Sequence, residues 1–464
     1  MERKRDEMNE QPQKNGQKAL VIGASIAGLA AAQVLADFYE QVILVERDRL
    51  PIKSENRKGV AQGQHLHVLL AAGYNALEVL FPGIVQDVVA QGARVFDPCE
   101  GFLVFGEGGY YIPTHSGLQS LAVSRPCLEV TIRRHLLARS NVRIMENCAV
   151  REFVINEDRS RVTGVQLQSR ESVRDETILS ADLVVDTTGR SPHLPTWLET
   201  MGYGRPQEEH VRIDVSYTSR KYRGEEHLFS GKPGILIQSE VSNKRLGCAL
   251  LLEDGSWIVT LCGFLGEQAP LDEQGFLQFA AKLPSRDLYD AIKNLEPLSP
   301  PVSYKVPFNQ RRRYEDMTRF PEGLLVLGDA ICSFNPTYGQ GMTVAALEAG
   351  ALRACLEQKE ADIPQAQQFF GSITDIIDAA WSMAVGSDLR FPEVQGPRTE
   401  QTPFLNWYME RIQQAAHRDP VVVRTLLSVS QMIAPASSLV NPEIIWRLFG
   451  QTAEQESSPV DDLV

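Results

Sequence analysis

The chain has 464 residues, 43% hydrophobic and 23% charged, proportions that suit two or three packed domains and exclude a disordered, collagen-like or disulfide-scaffold polypeptide. A formal charge of −13 argues against nucleic-acid binding, which needs clustered Lys and Arg. The seven cysteines (Cys99, Cys127, Cys148, Cys248, Cys262, Cys332 and Cys355) are widely spaced and include no C-x-x-C, so neither a disulfide framework nor a zinc site is indicated, and a reduced, cytoplasmic setting is expected.

Residues 1–17 are polar and charged and read as a disordered lead-in rather than a signal peptide. The apolar run from Ala19 to Ala36 is about as long as a membrane span, but Gly23, Gly28 and a change of period divide it into a buried strand (18–23) and a helix (26–38). A second buried strand at 42–46 completes a β-α-β unit with parallel strands. Residues 54–73 read as loop and then helix, 102–112 as a hairpin around a Gly-rich turn, and 128–139 as a helix. Strands follow at 142–155, 161–168 and 182–186. Residues 211–264 alternate and carry the hairpin signal EDGS, which marks an inserted antiparallel sheet. The stretch 324–327 returns to the buried parallel style, and a helix runs from Gly341 to about Leu356. Residues 365–450 are mostly helical and rich in aromatics, and the tail from Gln451 is acidic and frayed. The fold class is α/β (α+β overall).

The first motif, Gly23-Ala24-Ser25-Ile26-Ala27-Gly28, follows a strand and opens a helix. It is G-x-G-x-x-G with serine at the second glycine. Gly23 permits the tight turn, small Ser25 lets the backbone approach a pyrophosphate, and Gly28 lets helix and strand pack closely. The helix N-terminus offers N–H groups to phosphates. Glu46 ends the second strand, 18 residues after Gly28, where a carboxylate can accept from ribose hydroxyls, and Arg47 can flank an adenine. The second motif spans 322–343: a buried strand delivers Asp329, then Pro336 and Gly339-Gln340-Gly341 precede a helix. An acid at a strand end can bind a chain of hydroxyls, and a Gly-rich turn before a helix N-terminus can hold a planar ring and its negative charge.

Over roughly residues 18–360 these motifs resemble the FAD-dependent monooxygenases of the para-hydroxybenzoate hydroxylase type, most closely the bacterial polyene and polyether epoxidases, with squalene epoxidase more distant. The resemblance implies that Gly23, Ser25, Ile26, Ala27, Gly28, Glu46 and Arg47 bind the ADP half of FAD and that Asp329 binds the ribityl chain. It places Pro336, Gly339, Gln340, Gly341 and Met342 against the isoalloxazine, Arg125 on the FAD, and Gln64 and His65 near the flavin. The family's A-D-G motif appears as Asp186-Thr187-Thr188-Gly189-Arg190, with Thr188 in the acid's place, which bears on handling of NADPH. The implied division is an FAD-binding Rossmann-like domain (18–80 with 120–205 and 315–360), an antiparallel-sheet substrate domain (81–119 with 206–314), a C-terminal helical region (361–450) and a flexible tail (451–464).

The implied activity is insertion of one oxygen atom from O2, through a flavin C4a-hydroperoxide, into a lipophilic natural product (polyene, polyketide or terpenoid). NAD(P)H, directly or through a separate flavin reductase, would be the electron donor. Hydroxylation of a phenol needs a base. Asp214, Tyr217 and Tyr314 qualify by location only, which favours epoxidation of an alkene. A hydroxylase, a dehydrogenase or double-bond reductase on the same scaffold, and a non-enzymatic flavin-binding regulator remain open. His65 and His67 lack a third ligand, so no metal is expected. The run Arg311-Arg312-Arg313 reads as a solvated face, or as one arginine reaching flavin phosphates or NADPH. No membrane span is expected, and 421–449 leaves a peripheral membrane contact open.

Overall fold

Strands buried on both faces carry apolar side chains on both, and the first β-α-β unit follows that rule. In the computed structural model, β1 (Gly16–Ile22), α1 (Ile26–Phe38) and β2 (Tyr39–Val45) place Ala19–Val21 and Val42–Leu44 wholly out of solvent. The structure describes residues 14–170, 176–190, 192–225, 227–358 and 362–450. Most of the expected lead-in and the whole expected acidic tail lie outside the described residues. The lead-in ends earlier than expected: Gly16 and Gln17 already belong to β1, and Lys14 Nζ donates to the Asp37 carbonyl at 3.0 Å.

β1 is the centre of a five-stranded parallel sheet ordered Leu324–Val326, Leu183–Asp186, β1, β2, Val142–Met145. Its register aligns Ile22 with Asp186 and Asp186 with Val326. Three strands therefore end side by side, and the turns that follow them, at Gly23, Thr187 and Gly328, open onto one crevice. That is where open α/β sheets bind ligands.

A larger sheet carries the inserted segment. Its 17-residue strand Gln207–Arg223 lies between Val302–Arg313 and Ser256–Gly263, both antiparallel to it. Arg245–Leu251 and Gly234–Ile237 continue the sheet, and the hairpin strand Phe102–Gly106 joins parallel to Gly234–Ile237. The expected hairpin is present, turning at Glu107 and Gly108 with φ of 48° and 82°. The sheet is wider than the 211–264 expected, because Val302–Arg313 belongs to it. The run 142–155 is two strands, Val142–Met145 and Cys148–Ile155, parted at Asn147 (φ 55°).

Residues 54–73 also depart from expectation. After a 3-10 turn at Ala61–Gln64, Val68–Leu69 pairs with Leu121–Ala122, and the helix begins only at Ala71, ending at Leu80. Of QHLHVL, Gln64 closes the 3-10 turn and only Val68–Leu69 is a strand, so none of it is helical in the expected way. The C-terminal helices, Gln365–Asp388, Thr402–Ala415, Pro420–Ser430 and Pro442–Phe449, fold back over the rest. Gln431 Oε1 accepts from Ala71 N at 2.8 Å and from Ser120 Oγ at 2.7 Å, and Ile412, Val422 and Val423 pack with Val104 and Tyr111 of the hairpin region. No helix among the described residues is long and apolar enough to cross a membrane.

Candidate functional site

The crevice at the strand ends opens into one cavity of about 2450 Å³. A drug-sized site measures roughly 300–1,000 Å³, so this one has room for a dinucleotide and a second molecule. Gly23–Ala27, Glu46, Arg47, Arg125, Asp329 and Pro336–Met342 line it at one end. The other end lies between the large sheet, through Leu236, Cys248 and Cys262, and the C-terminal helices, through Trp381, Trp407 and Leu427.

Glycine shapes the first turn. Gly23 has φ +102°, and a Cβ on Gly28 would sit 1.9 Å from the Gly23 carbonyl oxygen. α1 has no acidic side chain in its own first turn. Glu46 is 4% exposed, and its carboxylate accepts from Ala24 N at 2.9 Å and Asp48 N at 3.0 Å. Arg57 binds that carboxylate at 3.0 Å and Glu129 at 2.8 Å. Burial acts to lower the Arg57 pKa, but the carboxylates of Glu129 and Glu46 outweigh it and hold the guanidinium charged. Arg125 Nη2 donates to Ser25 Oγ at 2.6 Å, so a second cation stands over the turn.

At the other motif, Asp329 is partly exposed to the cavity and meets the Arg190 guanidinium at 3.5 Å. Glu348, fully buried beneath, accepts the Gly328 N–H at 2.6 Å, while its Oε1 has no partner. Burial pushes the Glu348 carboxyl up to about 8, against the Gly328 N–H and with the help of Asp329. The loop that follows is pinned from behind by Asp388, which accepts from Asn335 Nδ2 at 2.8 Å, Tyr338 OH at 2.8 Å and Asn309 Nδ2 at 2.6 Å. Gly339 takes φ +68°, and the helix Gly341–Glu357 starts with no acid in its first turn.

The motif residues named from the sequence thus meet in one place, with two departures. Gln64 is exposed and does not line the cavity, because the 3-10 turn points it outward and brings Gln62 in instead. Gly28 serves packing and not lining. His65 lines the cavity, 4% exposed, and burial holds its pKa down to about 4. Of the three base candidates, Asp214 pairs with Arg212 at 2.7 Å on a bulge of the large sheet, and Tyr314 is stacked on Phe370 away from the cavity. Tyr217 does face the cavity, with its phenol pushed well above its ordinary range by burial.

The arginine run is not a solvated face: Arg311 is 0% exposed and Arg312 4%. Arg311 pairs with Asp378 and Glu315, Arg312 with Glu208 at 2.9 Å, and none of the three lines the cavity. Sequence reasoning gave no role to Arg57, Glu129 or Arg390. Glu129 alone carried a local signal, lying one helical turn after Arg125. Arg390 faces the cavity and donates to Ser239 Oγ at 2.6 Å.

No family model matches the chain. The flavin-dependent brominase Bmp2 shares its fold at a TM-score of 0.67, with 14% identity over 95% of this chain and 100% of that one. The p-nitrophenol 4-monooxygenase PnpA of Pseudomonas putida DLL-E4 does so at 0.64, with 15% identity over 90% of this chain and 99% of that one. Protein Rv3254 of Mycobacterium tuberculosis (strain ATCC 25618 / H37Rv) is 35% identical over 425 residues, 88% of each chain. The chain has the fold seen in flavin-dependent monooxygenases and halogenases, and it belongs to the family of Protein Rv3254.

Proposed function

We propose that this chain is an FAD-dependent monooxygenase that adds one oxygen atom of O2 to a lipophilic natural product, a polyene, polyketide or terpenoid, by epoxidation of an alkene. The observation that carries the reading is the single cavity in which the Gly23–Gly28 turn, Glu46, Arg125, Asp329 and the Gly339–Gly341 turn share one end and an apolar chamber forms the other. The residues fit FAD. A glycine cradle that a Cβ would fill, a helix end without an acid and a buried cation suit a pyrophosphate. A carboxylate suits each of the two hydroxyl-bearing parts.

When bound, FAD supplies the activation of oxygen. Glu46, held by Arg57, accepts from the ribose, and Arg125 and the α1 N-terminus neutralise the phosphates. Asp329, which meets Arg190 at 3.5 Å, would accept from the ribityl hydroxyls. The Gly339–Gly341 backbone, oriented by the Asp388 network behind it, would support the ring. The apolar chamber keeps water from the reacting centre. Tyr217 with its raised pKa and His65 with its lowered one are both neutral at pH 7, so neither supplies the strong base that ionising a phenol needs, whereas an alkene requires none.

Electrons come from NAD(P)H, directly or through a separate flavin reductase. Leu405, Trp407 and Val440 are both exposed and part of the cavity lining, an apolar rim that suits peripheral contact with a membrane from which such a substrate is drawn. Fold alone does not separate oxygenation from halogenation. The test is to identify the flavin in the purified protein, reduce it, and mix it with isotopically labelled oxygen and a panel of polyenes. One labelled oxygen in an epoxide is expected. A labelled alcohol would make the chain a hydroxylase, an unlabelled saturated product a reductase, and a halide-dependent product a halogenase. A protein with no affinity for FAD would overturn the reading.

A further inference from the structure

Glu107 and Arg390 meet in the wall of the cavity. Glu107 stands at the turn of the hairpin that begins with Phe102–Gly106, and Arg390 lies just past the helix Gln365–Asp388. Both line the cavity, with side chains 20% and 19% exposed, and Arg390 Nη1 is 4.0 Å from Glu107 Oε1. That is an ion pair too long to be a hydrogen bond. Arg390 Nη2 donates to Ser239 Oγ at 2.6 Å, its one hydrogen bond among the described residues, and Nε is buried with no partner. The Glu107 carboxylate accepts no hydrogen bond among the described residues. Unlike Nε, Arg390 Nη1 and both Glu107 oxygens are accessible from the cavity.

A guanidinium has five N–H groups to give and a carboxylate about four lone-pair sites to fill. Both groups are therefore short of partners in a chamber whose walls include Leu236 and Leu389, where half-paired charge is unfavourable. A gap of 4.0 Å lets one oxygen atom reach both groups at about 2.8 Å each.

The surrounding charges decide what that oxygen belongs to. Burial pushes the Glu107 carboxyl up, Arg390 opposes the rise, and Glu240 and Glu410 add to it. Glu240 and Glu410 also line the cavity. A ligand carboxylate would gain Arg390 but stand against Glu107, with Glu240 and Glu410 adding to the repulsion. A ligand ammonium would gain Glu107 but stand against Arg390. A neutral hydroxyl accepts from Arg390 and donates to Glu107 without adding charge. We infer that Glu107 and Arg390 are specificity-determining residues that read a hydroxyl group on the lipophilic substrate, so that the substrate is an alcohol-bearing apolar molecule and not a plain hydrocarbon, an acid or an amine. This rests on the reading of the apolar chamber as the substrate site.

The test uses four flexible probes of one chain length: n-decanol, its methyl ether, decanoate and decylammonium. Calorimetric titration of the purified chain gives their affinities, and the FAD content of the same sample is measured. The ether accepts but cannot donate, so n-decanol is expected to bind about tenfold or more tightly than it, the worth of a hydrogen bond to a charged group. In Glu107→Ala that advantage is expected to vanish while decanoate gains, since Arg390 loses its nearest carboxylate. In Arg390→Met, n-decanol is expected to weaken while decylammonium gains. Opposite shifts of the two charged probes distinguish recognition from a loss of packing. Equal affinity for n-decanol and the ether in the unsubstituted chain would overturn the inference, as would tighter binding of either charged probe, and neither result depends on the variants folding. A chain that binds none of the four loses the inference together with the chamber's role. A chain that prefers n-decanol but takes up no FAD keeps the hydroxyl site and loses the monooxygenase reading, whereas an FAD-loaded chain without the preference loses only the hydroxyl site.

Discussion

At the scale of single residues, the cavity is built from charges that hold one another in place. Asp329 illustrates how separable such a role is. Its side chain is 35% exposed, and its ion-pair contact with Arg190 is long, at 3.5 Å. Asp329→Ala is therefore expected to leave the fold intact and to weaken FAD binding by about 1.5–3 kcal/mol, the worth of a hydrogen bond to a charged group. Titration of the flavin-free protein with FAD measures this, and unchanged affinity would refute the ribityl role. Glu46 and Asp329 were legible in the sequence because strand, turn and acid are contiguous there. Arg57 and Arg190 were not, because the carboxylates that give them meaning lie elsewhere in the chain. Arg57 acts through Glu46 and Glu129, and Arg190 through an aspartate more than a hundred residues on.

At the scale of elements, the contact between α1 and β1 depends on a missing methyl group. Placing a Cβ on Gly28 would put it 1.9 Å from the Gly23 carbonyl and 2.8 Å from Thr187 Oγ. The carbonyl cannot yield without breaking the turn, so Gly28→Ala is expected to cost about 1–3 kcal/mol or more and to lower FAD occupancy. Gly350 offers the opposite case. It is an exposed helical glycine with nothing within 4 Å of an added Cβ. Gly350→Ala is expected to stabilise by roughly 0.5–1 kcal/mol, since alanine restricts the unfolded chain. Thermal unfolding of both variants checks the opposite signs. The β-α-β unit was readable because its apolar runs and glycines are local. The start of the helix at Ala71 was not, since Val68–Leu69 reads as helical until its partner Leu121–Ala122 is seen. The same holds for Arg311 and Arg312, buried against carboxylates far away in the chain, Asp378 and Glu208.

At the scale of the whole molecule, stability depends on pH through groups buried away from solvent. Glu348 has a folded pKa of about 8 against an ordinary 4.5. The folded state therefore keeps a proton that the unfolded chain releases, and stability falls as pH rises from about 4.5 to about 8, by at most about 1.4 kcal/mol per unit. Glu348→Gln keeps an oxygen for the Gly328 N–H and cannot ionise. Its melting temperature is expected to match the parent near pH 4.5 and to exceed it increasingly toward pH 8, and parallel curves would refute the assignment. His65 acts in the opposite sense at lower pH, since its folded pKa of about 4 lies below the usual 6.5. Stability from that group is lost as pH falls from about 6.5 toward 4.

The parallel sheet also sets a timetable for the growing polypeptide. Strand Leu183–Asp186 has β1 on one side from early in synthesis, but its other neighbour, Leu324–Val326, emerges about 140 residues later. Until then the ribosome-bound chain carries an open strand edge, apolar from Leu183 to Val185, of the kind that invites wrong pairing. Gly328, Asp329 and the Gly339–Gly341 turn arrive with that last strand. This end of the cavity is thus completed by the event that closes the sheet, so a nascent chain stalled before residue 324 lacks its final strand together with Asp329 and the Gly339–Gly341 turn that line the cavity.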